Sequence, residues 1–357
     1  MTHVITGTCC NDSACAFSCP VNCIHPAPGE PGYGSAELLF IDPDACIDCG
    51  ACVDACPVHA VVPDYDLEER DQPFADLARA WFAVEENSGY PQEQKRLPAF
   101  TVAEPSALRV AVIGTGPAAC YAIDALTSVR GLQVEVTVVE RLLAPGGLVR
   151  YGVAPDHPET KAIGDQFLRT LARSSVSLHL GVEVGRDVTF EQLASTHHAV
   201  IVGSGAAAGR RLGIPGDDLA GVISAADFVG WYNGHPDYAN LAVDLSGERA
   251  VVVGNGNVAI DVARVLLSGV DRLRRTDIAQ HALEAFAASN VREVVLVGRR
   301  GIEHAAFTAS ELEGLARVPG LRISAVTAEL EPTLGELSPE RRTIVEHKAS
   351  RLRKLAG

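Results

Sequence analysis

The stretch Cys46–Pro57, CIDCGACVDACP, decides how the beginning of the chain folds. Three cysteines recur at every third residue, a fourth follows four residues later, and a proline closes the run. Thiolates at this spacing on a tight turn can wrap one cubane iron–sulfur cluster, whereas the fourth cysteine points away and reaches a second cluster. The spacing therefore predicts a two-cluster domain rather than a zinc site or a disulfide framework.

A second, altered run lies upstream and repeats this spacing with an aspartate in place of one cysteine. Cys9, Asp12, Cys15 and Cys19 occupy its four positions, and Pro20 follows. Because the fourth cysteines cross over between runs, the ligands can be assigned. A [4Fe–4S] cluster is expected on Cys19, Cys46, Cys49 and Cys52. The second cluster, one thiolate short, is either [3Fe–4S] or a [4Fe–4S] cubane completed by Asp12 or another oxygen, and its expected thiolates are Cys9, Cys15 and Cys56.

Two further cysteines lie near these runs. Cys10 is adjacent to Cys9 and is its rival as a ligand. Cys23 fits neither run, and we expect it to be a packed free thiol, because small cysteines are often buried.

Residues 1–63 resemble the two-cluster bacterial ferredoxins, specifically their seven-iron branch, in both cysteine runs and their closing prolines. The resemblance implies an α+β ferredoxin domain, with a longer loop at His25–Gly34. Residues 64–107, rich in charge clusters and prolines, are expected to form a linker with a short amphipathic helix around Phe74–Val84. We interpret this linker as a tether without fixed geometry.

A β-branched apolar run opens the next part of the chain. Leu108–Gly114, LRVAVIG, is typical of a strand buried in a parallel sheet. The glycine turn GTGPAA, a predicted helix and a second strand, Val134–Glu140, follow it. This order, closed by an acid, is the Rossmann fingerprint. Gly114 and Gly116 would let backbone N–H groups approach a pyrophosphate, and Glu140 would bind a ribose diol.

The next residues indicate which dinucleotide is expected. Gly147–Lys161, GLVRYGVAPDHPETK, closely resembles the flavin-side motif of adrenodoxin reductase and its bacterial ferredoxin–NADP reductase relatives. The resemblance implies FAD and carries over Ala118, Glu140 and Leu148 as FAD contacts. In the same family Val184, within GVEVGRDVTFEQL, contacts the adenine end. Hydride transfer to a flavin needs no protein base, so no catalytic side chain is expected.

A second fingerprint lies further along the chain. After another strand, His198–Gly203, the run Glu248–Gly254, ERAVVVG, leads into GNGNVA and a predicted helix. The strand after its crossover, Val291–Gly298, ends in Arg299 and Arg300 rather than in an acid. An acid would repel a 2′-phosphate, whereas guanidinium groups bind it bidentately. The sequence therefore predicts NADPH rather than NADH.

This half also resembles the adrenodoxin-reductase family, in GNGNVAIDVAR, VGRRG and the following AFTASEL. The resemblance implies that the arginine pair contacts the 2′-phosphate and that Glu311 contacts the nucleotide nearer the nicotinamide. The expected pyrophosphate contacts are Gly254, Asn255, Gly256 and Asn257.

The chain departs from this family after Glu311. We expect one more strand over Leu321–Val326 and a helix from about Ser338, whereas family members continue with a Gly-Trp segment and a glycine-rich loop that return to the flavin domain. We therefore expect residues 108–205 to be part of an FAD-binding domain and 206–357 to be an incomplete NADP-binding domain. The expected fold is an α+β ferredoxin domain followed by two Rossmann-like α/β domains of glutathione reductase type, the last one truncated.

Charge and composition limit the remaining possibilities. The formal net charge is −15, of which −11 lies in residues 1–69, where no Lys or Arg occurs. An acidic face suits a basic protein partner and opposes nucleic-acid binding. Neither a membrane span nor a signal peptide is apparent in the sequence. Nine of the ten cysteines precede residue 57, seven of them at cluster spacing, which favours a reducing cytoplasm.

These features predict a ferredoxin-fused ferredoxin–NADP⁺ reductase. NADPH would reduce FAD, and single electrons would pass to the chain's own clusters, or to a ferredoxin or other redox protein. Two alternatives stay open. One is the electron-input module of a larger flavoenzyme, such as the glutamate synthase small subunit, although the cysteine-rich domains of such modules are mostly helical. The other is an electron carrier with an inactive reductase fragment.

Overall fold

The structure, a computed structural model, describes residues 2–95, 101–206, 209–326, 330–335, 337 and 339–356. Residues 96–100 of the predicted linker and Ser338, the expected start of the last helix, lie outside this set. The strands are β1 (His3–Ile5), β2 (Ile24–His25), β3 (Phe40–Ile41), β4 (Val61–Pro63), β5 (Thr101–Ile113), β6 (Arg130–Glu140), β7 (Val176–Leu180), β8 (Ala199–Val202), β9 (Arg249–Val253) and β10 (Glu293–Val297).

The helices alternate with these strands over most of the chain. They are α1 (Ala14–Ser18), α2 (Ala51–Ala55), α3 (Gln72–Phe82), α4 (Pro117–Thr127), α5 (Leu148–Tyr151), α6 (Pro158–Lys161), α7 (Ile163–Leu171), α8 (Phe190–Thr196), α9 (Ala225–Tyr232), α10 (Asn257–Leu267), α11 (Val270–Leu273), α12 (Gln280–Ala287), α13 (Ala309–Ala316) and α14 (Pro339–Ala356). Within the described ranges, none combines the length and apolar character needed to cross a bilayer.

The chain folds into two compact units. The first unit contains Met1–Leu97, Asp244–Thr276 and Leu283–Gly357, and the second contains Pro98–Val243 and Asp277–Ala282. The cysteine-rich residues therefore share a unit with the second glycine turn, whereas the first glycine turn belongs to the other unit.

Two small antiparallel ladders and two short helices organise the cysteine-rich residues of the first unit. β1 pairs with β4, and β2 pairs with β3. α1 and α2 are each preceded by one residue with left-handed backbone, Ser13 at φ 66° and Gly50 at φ 73°. These tight turns start both helices, on which Cys15 and Cys52 are buried.

α3, within the predicted linker, packs on this cysteine-rich fold. Its buried residues are Phe74, Ala75, Leu77, Ala78 and Trp81. The ring of Trp81 stacks at 5.2 Å from that of Phe40, and further along, Asn22 Nδ2 donates to the carbonyl of Pro91 at 2.8 Å. The interpretation as a tether without fixed geometry is therefore wrong for residues 72–91, because the apolar stripe of α3 is buried against the cysteine-rich core.

The second part of the first unit is built on a parallel pair of strands. β9 and β10 pair over five residues, from Arg249–Glu293 to Val253–Val297, which confirms the two predicted strands. α10, α13 and α14 contribute to an apolar core whose buried residues include Ile260, Phe307, Leu312 and Ala349. The prediction of a further strand over Leu321–Val326 is wrong, because these residues form neither a strand nor a helix. Leu321 and Ile323 pack against this core, so their apolar side chains are partly buried without strand pairing.

The second unit contains a four-stranded parallel sheet in the order β7–β6–β5–β8. The middle of the sheet is almost fully buried at Val110, Val112, Val136 and Val138. Near-continuous β-branched runs are typical of parallel strands, because both faces of such a sheet are covered. The predicted strands of this unit are confirmed, with bounds that differ at their ends from the sequence estimate.

Candidate functional site

Cys9, Cys15 and Cys56 lie close enough for their charges to interact. Burial raises the pKa of the Cys15 thiol, and negative charge on Cys9, Asp12 and Cys56 raises it further. Burial also raises the pKa of Cys9, to which charges on Cys56 and Asp12 add. The Asp12 carboxylate therefore shares the surroundings of these three thiols. Crowded thiols of this kind ionise together only beside a cation.

Cys19, Cys46, Cys49 and Cys52 form a second group, in which Cys19 and Cys46 contact the thiol of Cys23. The sulfur of Cys23 lies 3.4 Å from that of Cys19. Hydrogen bonding with Cys23 lowers the pKa of Cys46 to about 4 and that of Cys19 to about 6. Burial raises the pKa of Cys52 to about 12, and charges on Cys46, Cys19 and Cys49 contribute. The other three thiols are thus within electrostatic reach of Cys52.

Backbone N–H groups donate to sulfurs in both groups. The donor–acceptor pairs are Asn11 to Cys9 at 3.4 Å, Cys23 to Cys19 at 3.4 Å, Asp48 to Cys46 at 3.5 Å and Ala60 to Cys56 at 3.2 Å. Such donors stabilise negative charge on sulfur and tune the potential of a cluster. All ten cysteines are free thiols.

The first glycine turn has a backbone that side chains would obstruct. Gly114 has φ 100°, and a Cβ built there would lie 2.5 Å from the carbonyl oxygen of Gly203. A Cβ on Gly147 would lie 2.7 Å from Cα of Gly116. Because α4 begins directly after Gly116, its first N–H groups are available to a phosphate anion.

Thr115 connects this turn to the carboxylate that ends β6. Glu140, only 8% exposed, accepts hydrogen bonds on Oε2 from the N–H and the hydroxyl of Thr115, at 3.0 and 2.6 Å. Its Oε1 accepts from the N–H of Leu142 at 2.9 Å. The hydroxyl of Thr115 in turn accepts from the N–H of Gly146 at 3.2 Å. The sequence reasoning missed Thr115, although it is the one hydroxyl residue in GTGPAA.

The other residues expected on the flavin side occupy different positions in the second unit. Ala118 is exposed in the first turn of α4, and Leu148, at the start of α5, is 69% exposed. The contact of Gly147 with Gly116 brings the start of α5 next to the turn. Val184 instead lies after β7, packed against a separate apolar cluster.

The second glycine turn is supported by a neighbouring segment of the first unit. The carbonyl of Asn255 accepts hydrogen bonds from the N–H groups of Ala306 and Phe307, at 3.0 and 2.9 Å. Oδ1 of Asn257 accepts from the N–H of Thr308 at 2.7 Å. The side chain of Asn257 is therefore engaged in holding the turn. Gly254 has φ 144°, a conformation that side chains rarely adopt.

Arg299 and Arg300 follow β10 and are both exposed. Glu311, in the first turn of α13, is paired with Arg264, whose Nη1 donates to Glu311 Oε2 at 2.8 Å. Arg264 is 1% exposed and also donates to Asp261 Oδ1 at 2.5 Å. The sequence reasoning missed Arg264, whose role depends on contacts between α10 and α13.

Two family profiles match parts of the chain. Residues 108–304 match the pyridine nucleotide–disulphide oxidoreductase family. Residues 39–62, which include the second cysteine run, match the 4Fe-4S binding domain.

Several curated proteins are similar over much of this sequence. A probable ferredoxin/ferredoxin–NADP reductase of Mycobacterium tuberculosis is 48% identical over 320 residues, which are 88% of this chain and 55% of that protein. The mitochondrial NADPH:adrenodoxin oxidoreductase of Salvelinus fontinalis is 49% identical over 68% of this chain and 49% of its own length. The chain thus spans about half the length of the relatives it matches.

One solved structure is similar to this chain in both sequence and fold. FprA from Mycobacterium tuberculosis in complex with NADPH superposes with a TM-score of 0.65 and 43% sequence identity, over 70% of this chain and 56% of that one.

Proposed function

The chain belongs to the pyridine nucleotide–disulphide oxidoreductase family, and from that premise we propose that it carries electrons from NADPH through FAD, one at a time, to iron–sulfur clusters or a ferredoxin. The observation that carries the proposal is that one chain holds two groups of cysteines and two glycine turns, each between a parallel strand and a helix. The relatives' names support it, since they couple NADPH with ferredoxin or adrenodoxin.

The first cluster proposed is a [4Fe–4S] cluster. Its ligands would be Cys19, Cys46, Cys49 and Cys52. The donor set fits, because the charges of the other three thiols act on Cys52 and two of the four sulfurs accept backbone N–H hydrogen bonds. The buried thiol of Cys23 would donate to sulfur beside this cluster without being a ligand.

The second cluster proposed has one thiolate fewer. Its ligands would be Cys9, Cys15 and Cys56, in a [3Fe–4S] cluster or in a [4Fe–4S] cluster completed by Asp12 or another oxygen. The charges acting on Cys15 come first from Cys9 and then from Asp12, Cys56 and Cys52. Cys10 is also close to Asp12, Cys9 and Cys56, so it stays the rival of Cys9 as a ligand.

FAD would bind in the second unit. The proposed contacts are Gly114, Gly116, Ala118, Glu140, Leu148 and Val184. The fit rests on the crowded backbone at Gly114 and Gly147, where a Cβ would meet neighbouring main chain, and on the buried Glu140 carboxylate, which can accept from a ribose diol. When bound, FAD supplies the conversion between two-electron hydride transfer and one-electron transfer.

NADP(H) would bind at the second turn, in the first unit. The proposed contacts are Gly254, Asn255, Gly256, Asn257, Arg299, Arg300 and Glu311. The exposed arginine pair after β10 can bind a 2′-phosphate, and Arg264 would orient the Glu311 carboxylate. The residues of the chain bind and orient the nucleotide, and we propose no catalytic side chain. The cytoplasmic location expected from the cysteine content stays a prediction.

Cofactor analysis tests the proposal directly. We expect about seven or eight iron atoms and about one FAD per chain, with bleaching of the flavin absorbance when NADPH is added anaerobically. Iron without flavin would instead favour an electron carrier with an inactive reductase fragment, and zinc in place of iron would refute the cluster assignment.

A further inference from the structure

A carboxylate of the cysteine-rich fold lies against the segment that supports the second glycine turn. Glu37 is located between the two cysteine runs, and its side chain is 15% exposed. Its Oε2 accepts a hydrogen bond from the N–H of Ala309, the first residue of α13, at 3.2 Å. Close packing occurs next to this contact, since a Cβ on Gly7 would lie 2.5 Å from Cβ of Ser310.

The partner of Glu37 comes from the C-terminal helix. Lys348, on α14, is 3% exposed, and its ammonium group forms an ion pair with Oε1 of Glu37. The same Nζ donates to the carbonyl of Ala305 at 3.3 Å and lies 5.5 Å from the centre of the Phe307 ring. The Glu37–Lys348 pair therefore holds the segment 305–309 at both ends, at the carbonyl of Ala305 and at the N–H of Ala309.

The residues between these two ends support the glycine turn. Ala306 and Phe307 donate their N–H groups to the carbonyl of Asn255, and Thr308 donates its N–H to the side chain of Asn257. A bridge also pairs Gly256 with Ala306. Three consecutive amides of the held segment are thus used to hold the turn that is expected to bind a pyrophosphate.

We propose that Glu37 and Lys348 are positioning residues for the pyrophosphate half of the NADP(H) site, so that the ferredoxin-like fold contributes to nucleotide binding without contacting the nucleotide. The inference rests on the proposed function of the second turn. A buried ion pair that is satisfied on both sides positions the backbone attached to it, whereas loss of one partner leaves the other charge buried and forces the segment to rearrange.

The test measures nucleotide binding rather than turnover. The full-length protein with its cofactors would be titrated calorimetrically with NADP⁺ and with 2′,5′-ADP. The fragment 2′,5′-ADP retains the 2′-phosphate expected on Arg299 and Arg300 and the adenosine-side phosphate, but lacks the second phosphate of the pyrophosphate and the nicotinamide riboside. For Glu37→Gln and for Lys348→Met we expect NADP⁺ to bind on the order of tenfold more weakly, while 2′,5′-ADP changes less than about twofold.

Two further variants complete the design. Asp271→Asn removes an exposed ion pair with Arg274 in the same unit and should leave both ligands unaffected. The double variant Glu37→Gln with Lys348→Met leaves no unpaired buried charge, so it should fold even where a single variant does not, and it should still bind NADP⁺ more weakly. Iron content and the thermal midpoint establish that each variant is folded.

Each result has a distinct meaning. Selective loss of NADP⁺ affinity supports the inference. If the wild-type protein binds NADP⁺ and the folded variants bind it equally well, or lose both ligands equally, the inference is refuted and the proposed function stands. If the wild-type protein binds neither ligand, the proposed function fails and the inference fails with it.

Discussion

Replacing Thr115 with valine should lower the stability of the second unit, because it removes a single hydroxyl group that makes two hydrogen bonds. The Oγ1 of Thr115 donates to Oε2 of Glu140 at 2.6 Å and accepts from the N–H of Gly146 at 3.2 Å. Thr115 is 0% exposed, so water cannot replace either partner. Valine is close to threonine in size, and the substitution therefore removes hydrogen bonds without opening a cavity.

The magnitude follows from the two bonds. A hydrogen bond to a charged group contributes about 1.5–3 kcal/mol, and a neutral one about 1 kcal/mol. The N–H of Thr115 still donates to Glu140, so the carboxylate keeps one partner from this residue. We expect Thr115→Val to lower the free energy of unfolding of the second unit by about 2.5–4 kcal/mol. With a urea m value of about 2 kcal/mol/M, the midpoint would fall by about 1–2 M.

The two tryptophans of the chain make a unit-specific assay possible. Trp81 lies in the first unit and Trp231 in the second. In a Trp81→Phe background, the fluorescence of Trp231, 4% exposed, reports urea unfolding of the second unit alone. Thr115→Ser is the matched control, because it keeps the hydroxyl and loses only one methyl group, at a cost of about 1 kcal/mol.

The comparison between valine and serine decides whether the reasoning is correct. If Thr115→Val unfolds at the wild-type midpoint, or if serine is as destabilising as valine, the hydroxyl does not connect the turn, Glu140 and Gly146. In the flavin-loaded protein, the dissociation constant of FAD should rise more for Thr115→Val than for Thr115→Ser.

Three other predictions concern the remaining sites. Arg299→Ala with Arg300→Ala should weaken NADPH binding about 10- to 100-fold and leave NADH almost unchanged, and equal losses in titrations of both would exclude a 2′-phosphate role. Asp12→Cys should convert the second cluster to an all-thiolate [4Fe–4S] cluster, and an unchanged EPR spectrum would contradict its ligand assignment. Burial alone would raise the pKa of Glu30, but hydrogen bonds from the Ala27 amide and two side chains outweigh it and lower the pKa. The resulting stabilisation is present above the ordinary carboxyl pKa and is lost as the pH falls through the lowered value. The difference in thermal midpoint between wild type and Glu30→Gln should therefore shrink below about pH 4, whereas a constant difference down to pH 3 would show that the Glu30 charge is not stabilising.

The cysteine-rich fold is joined to the segment beside the second glycine turn by direct contacts, and not only by the chain that connects them. A flexible tether would only raise the effective concentration of one domain near another. Here Glu37 pairs with Lys348, and Arg317 at the end of α13 donates to the carbonyl of Arg70 at 3.3 Å. α13 is thus held at both ends by the first 97 residues.

The sequence alone determined the local elements and the kind of chemistry. The β-branched runs at Leu108–Gly114 and Glu248–Gly254 both became parallel strands. The first is buried, as expected of a sheet covered on both faces, whereas Val251 and Val253 of the second are more than half exposed. The glycine turns after them were readable because only glycine permits the close backbone approach at Gly114. Cysteine spacing likewise predicts a division of the ligands into two groups, since the short turns allow few arrangements of these thiols.

Only the tertiary structure decided which distant side chains act together. Glu37 and Ala309 are 272 positions apart, and neither residue type nor local pattern indicates that a carboxylate between two cysteine runs will cap α13. The same holds for Arg264, buried between Asp261 and Glu311. Local propensity reflects interactions within a few residues, whereas burial and pairing of charges depend on how whole elements pack, and that packing is decided by the sum of many weak contacts spread along the chain.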